Sequence, residues 1–158
     1  MELEKKKTNN KKRINKMGFI EKPLDDVQEA QPGPEGLYGL VISKATDKLE
    51  GDTRKGMLLI IDVVKAPQGI NPEEVANVLH NLSFPIPEDD EKKGKAKQLF
   101  LKKFCFLFGI DTKGKMSKDF KETDFIGKKA SNAKLKRKLY EGKWSNVIDL
   151  PQLPEVKK

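Results

Sequence analysis

The apolar residues of this chain fall into stretches whose spacing changes along its length. Residues 37–49, "LYGLVISKATDKL", are rich in aliphatic and β-branched side chains and predict a first strand. "EGDTRKG", residues 50–56, predicts a polar loop bounded by glycines. "MLLIIDVVKAP" follows, apolar on both faces as a central strand must be, with Pro67 as its end. "QGINPEEVAN" predicts a loop or helical turn, with Asn71 placed to cap and Pro72 at the first helical position. "VLHNLSFPIP" predicts a third strand, stopped by Pro85 and Pro87. The period then changes. In "KAKQLFLKKFCFLFGI", Ala96, Leu99, Phe100, Phe104, Leu107 and Phe108 recur at helical steps, and Gly109 is placed as the helix stop. "DTKGKMSKDFKETDF" predicts a polar linker, after which a fourth strand is expected from about Ile126.

Alternation returns in "KLKRKLYEGKWSNVIDL", residues 134–150. As an extended strand, one face carries Lys134, Lys136, Lys138 and Tyr140, and the other Ala133, Leu135, Arg137 and Leu139. Glu141-Gly142-Lys143 predicts a tight turn, and Trp144 opens the return strand. The order is strand, strand, strand, helix, strand, strand, with no internal repeat. A mainly β fold follows: a five-stranded OB-fold barrel with one helix between strands 3 and 4. Residues 1–35 predict a flexible basic arm and linker, 36–154 the folded domain, and 155–158 a tail.

Charge sharpens this picture. The 158 residues carry +8 at a pI of about 9.4. Residues 1–17 hold seven Lys/Arg and two Glu, and residues 126–144 hold seven and one, so these two segments outweigh a slightly acidic remainder. The balance favours a polyanionic partner, with nucleic acid ahead of an anionic membrane surface. No apolar run approaches a membrane span, and no leader is expected from the first residues. The lone Cys105 sits in an apolar run, which suits a buried thiol in a reducing compartment; the cytoplasm is expected.

The segments "PEGLYGLVISKATDKLEGDTRKGMLLIIDVV", "VLHNLSFP", "FGID" and "DFIGKKA…EGKWSNVIDLPQLP" occur in an order that resembles the phage-encoded OB-fold single-stranded-DNA-binding proteins. The resemblance spans roughly residues 34–154. It implies coating of single strands during DNA replication or recombination in a host cytoplasm, with self-association or replication and recombination proteins as further partners. The chain departs from the pattern at its end, where Pro154-Glu155-Val156-Lys157-Lys158 stands in place of an acidic tip, so the resemblance does not carry over tail-mediated recruitment.

Several chemistries lack their residues. His80 is the only histidine; in "VLHNLSF" it alternates with Val78, Leu82 and Phe84, and a packed imidazole is favoured over a catalytic one. One Cys and one His cannot complete a structural zinc site. Gly51 and Gly56 have the glycine spacing of a phosphate loop, but Met57 and Leu58 follow where Lys and Ser/Thr are required. Glu88-Asp89-Asp90 reads as a solvated loop rather than a metal cluster. No enzyme and no cofactor are expected.

What remains suits a single strand, which offers phosphates to cations and base faces to flat rings. Arg54 and Lys55, from the loop after strand 1, and Lys134, Lys136, Lys138 and Lys143, from the last hairpin, are the phosphate candidates. Tyr140 and Trp144, flanking the hairpin turn, are the stacking candidates. Trp144 shares a face with Asn146, Ile148 and Leu150 and so is a core candidate as well. The four phenylalanines at 100, 104, 106 and 108 read as core, with Phe106 off the stripe and a candidate subunit contact. Two other readings stand beside strand binding: an OB barrel acting as a protein–protein adaptor or assembly component, and an RNA-binding OB protein.

Overall fold

The computed structural model describes residues 29–154. The predicted basic arm up to residue 28 and the tail from 155 lie outside them. Five antiparallel strands form one sheet: β1 (Gly36–Glu50), β2 (Thr53–Lys65), β3 (Val78–Ser83), β4 (Lys129–Tyr140) and β5 (Lys143–Asp149). Their order across the sheet is β3-β2-β1-β4-β5. Helix α1 (Glu91–Leu107) lies between β3 and β4 in the chain, and the single turn α2 (Glu122–Phe125) leads into β4.

β1 organises the sheet. Its register shifts at 39/40, 42/44 and 48/49 against β2 insert extra residues, which bend and twist a strand locally. The outer strands β3 and β5 come close to one another, but no hydrogen-bonded ladder joins them among the described residues. The sheet is therefore curved and open at this seam. Inside it lie Tyr38, Leu40 and Ile42 of β1, Met57, Leu59 and Ile61 of β2, and Ala133 and Leu135 of β4, all essentially sealed from solvent.

Four predicted boundaries are corrected. First, 50–56 is not a loop: Glu50 pairs with Thr53, so only Gly51 and Asp52 form the turn, and two long strands run out to it. Gly56 is a strand residue whose Cβ, if present, would collide with the Leu82 carbonyl, which explains a glycine there without any phosphate chemistry. Second, the buried stripe of α1 is Leu101, Phe104 and Cys105, continued by Phe108; Ala96, Leu99 and Phe100 are exposed. Third, the "polar linker" inserts Phe120 and Phe125 into the core, where their rings pack at 5.7 Å. Fourth, β4 starts at Lys129 rather than near Ile126.

The helix stops at Gly109 as expected, but it starts at Glu91, a turn before the periodic run that begins at Lys95. Asp90 accepts a hydrogen bond from the Lys93 N–H at 2.7 Å and so caps the start. Gly109, at φ +66°, lets the Ile110 N–H return to the Cys105 carbonyl at 2.8 Å and the Gly109 N–H to that of Phe106 at 3.3 Å. Asn71 caps the short 3-10 turn Pro72–Glu74. Among the described residues, no helix is long and apolar enough to cross a membrane.

Candidate nucleic-acid interface

β1 pairs with β4 only near its start, where Gly36 faces Leu135. From Lys136 to Tyr140, β4 has only β5 beside it. This end of the β4–β5 hairpin is a two-stranded ribbon projecting past the sheet. Its turn is Glu141–Gly142, with φ of +50° and +79°, the type I′ geometry that suits strand twist. The β1–β2 hairpin projects likewise from the other end of β1, since β3 stops pairing at Gly56.

Directly opposed residues share a face. Leu135 faces Ile148, Arg137 faces Asn146, and Leu139 faces Trp144, so this face continues the core outward. Lys134 faces Asp149, Lys136 faces Val147, Lys138 faces Ser145, and Tyr140 faces Lys143 on the opposite side. The two predicted stacking rings therefore stand on opposite faces of the ribbon and do not line one trough. Trp144 begins on the core side, but the ribbon has left the core behind by that point, and the ring is 50% exposed. Tyr140, at 68%, is open among lysines.

The predicted phosphate contacts differ in availability. Arg54 is held: its Nε lies 2.8 Å from Asp47 Oδ1, and its guanidinium sits 4.7 Å over the Phe84 ring. Lys55 reaches Glu50 at 2.7 Å. Lys134 and Lys136 share Asp149, at 3.7 and 3.4 Å, which leaves one net positive charge between them. Lys138 and Lys143 have no carboxylate within ion-pair distance among the described residues. Of these six predicted contacts, the two without an ion-pair partner among the described residues thus lie near the ribbon tip.

Arg137 was expected on the apolar face and assigned no contact. Its guanidinium lies 4.8 Å over the Trp144 ring. The signal was available in the register: Trp144 opposes Leu139, and Arg137 is the next same-face residue toward the root. Beside this pair runs a groove between the ribbon and β3, lined by Arg137, Lys143, Trp144, Asn77 and Leu79. Its base is closed by Asn146. The Asn146 Oδ1 accepts the Gly33 N–H at 2.8 Å, and its Nδ2 donates to the Gly33 carbonyl at 3.0 Å and to Lys136 O at 3.3 Å. Residues 29–35 are thereby docked rather than free: Gln31 also pairs in parallel with Val75.

No protein-family model matches this chain, and no curated protein matches it at a significant level.

The other chemistry-bearing residues have structural partners. His80 stacks on Phe104 at 4.7 Å and 15°, and burial lowers its pKa to about 4, so it is neutral near pH 7. Cys105 is buried, and desolvation pushes its thiol up to about 12. Asp89 accepts from Lys97 at 3.1 Å and from the Ile86 N–H at 3.0 Å; the Lys97 bond, then the amide, lower its pKa. With Asp90 capping α1, two carboxylates of the acidic triplet serve the local fold.

Proposed function

We propose that this chain is a non-catalytic, OB-like module that binds single-stranded nucleic acid, DNA first, largely without reading sequence. The strand order, the helix between β3 and β4 and the open β3/β5 seam are consistent with a five-stranded, partly open barrel of that class. The observation that carries the reading is the Arg137–Trp144 pair at the groove mouth. An indole with half its surface open offers a base a stacking partner, and the guanidinium over one face of its ring offers a cation to the adjoining phosphate. Lys138, Lys143 and Tyr140 add cations and a second ring on the other side of the same tip. A strand wrapping the ribbon would meet both faces. A role in phage replication or recombination goes with the resemblance noted above.

Trp144 is the only tryptophan, so its fluorescence reports this site directly. Titration with oligothymidylate is expected to quench it. Trp144→Ala is expected to weaken binding by about 1–3 kcal/mol, the worth of one base–ring stack. Unchanged emission together with unchanged affinity of the variant would overturn the reading. Competition with the matched RNA oligomer decides between DNA and RNA. The adaptor reading draws on a different observation, the outward exposure of Leu99, Phe100 and Phe106 on α1, and predicts no quenching.

A further inference from the structure

The loop between α1 and β4 read as a linker, yet it forms a pocket against the helix. Leu101 and Phe120, both buried, make its floor, and Lys102, Lys113, Lys115 and Lys118 stand around it. Four ammonium groups around one concavity repel each other, and only a counter-anion or local carboxylates can relieve that. The local carboxylates are largely turned to the backbone. Asp111 Oδ1 accepts the Lys113 N–H at 3.0 Å, and Asp119 Oδ2 accepts the Met116 N–H at 2.8 Å. Asp124 Oδ2 accepts the Lys121 N–H at 2.8 Å. Only Lys115 has an ion-pair partner among the described residues, Asp124 at 3.6 Å, while its ammonium lies 5.2 Å over the Phe120 ring. The acids thus shape the loop, and Lys102, Lys113 and Lys118 are left facing the pocket without a carboxylate partner among those residues.

We propose that this pocket binds a phosphoryl group carried on a small, partly apolar body: a nucleoside phosphate, free or at a strand terminus. The cations supply charge-assisted donors for phosphate oxygens, and the Leu101–Phe120 floor supplies apolar contact for the attached ring. Lys118 also lines the adjoining shallow pocket with Arg54 and Lys121, so the site borders the β1–β2 hairpin rather than the β4–β5 ribbon. It stands independently of strand binding at Trp144.

The test uses the full chain with thymidine monophosphate, thymidine and inorganic phosphate, followed by amide NMR shifts. The monophosphate and inorganic phosphate are expected to move the amides of residues 111–118, and thymidine is not. Lys113→Glu with Lys118→Glu is expected to weaken the monophosphate roughly tenfold or more, as loss of charge-assisted contacts should. Both lysines are exposed, and the Lys113→Gln/Lys118→Gln pair gives the same comparison without charge reversal if the first variant is unstable. Equal shifts from thymidine and its monophosphate, or undiminished affinity in folded double variants, would overturn the site. Oligothymidylates with a 5′-phosphate or a 5′-hydroxyl then identify the source. A phosphate-dependent gain that the double variant abolishes supports a strand terminus, and no gain alongside monophosphate binding supports a free nucleotide.

Discussion

Asn146 is a buried polar residue, and its amide reproduces a strand partner for Gly33. Asn146→Ala leaves the Gly33 N–H and carbonyl without that partner inside the protein. Each such group costs about 1–3 kcal/mol. A loss of roughly 2–3 kcal/mol is expected in urea denaturation at constant m-value. His80 carries a pH signature. Its folded pKa, about 4, lies below the unfolded value near 6.5, so below pH 6.5 the unfolded chain takes up a proton that the folded one refuses. Stability is therefore expected to fall as pH drops from about 6.5 to about 4, by up to ~3 kcal/mol from this group. His80→Gln should flatten that part of the profile, and an unchanged slope would refute it. The alternation around His80 reads as a packed imidazole, though not that Phe104 is its partner; the Asn146 clasp is not legible in the sequence, because Gly33 is 113 residues away.

At the scale of elements, periodicity located the strands and the helix but not the faces they bury. In α1 two apolar stripes compete. Leu101, Phe104, Cys105 and Phe108 face the sheet, and Leu99, Phe100 and Phe106 stay outside, a choice made by packing and invisible to spacing alone. The β4–β5 alternation was read correctly, yet its meaning changed because the hairpin outgrows its neighbour β1 and its core-side face becomes surface. Phe120 and Phe125 were hidden in a polar context that gave no period at all. The turn of the ribbon carries its own expectation. Glu141 holds a positive φ that an L side chain adopts at a cost, and asparagine tolerates that region better. Glu141→Asn is expected to raise stability by about 0.5–1 kcal/mol in thermal denaturation and, by removing a negative charge beside Lys143, to strengthen oligothymidylate binding rather than weaken it.

For the whole molecule, the net charge of +8 overstates what a strand would meet. Arg54, Lys55, Lys134 and Lys136 are engaged with Asp47, Glu50 and Asp149, and of the predicted phosphate contacts Lys138 and Lys143 alone have no carboxylate partner among the described residues. The number of contacts sets the salt response, at about −0.7 in log–log slope for each phosphate neutralised on a single strand. With Arg137, Lys138 and Lys143 as the contacts, the slope for oligothymidylate is expected near −2, and Lys138→Glu with Lys143→Glu should reduce its magnitude by about 1.4. A slope indifferent to these changes would place the electrostatic contact elsewhere. The clasp of Gly33 by Asn146 has a mechanical corollary. It ties the beginning of the described chain to its last strand, so tension drawn on the chain ahead of Gly33 passes through the Gln31–Val75 pairing and then through those amide bonds before it reaches β1.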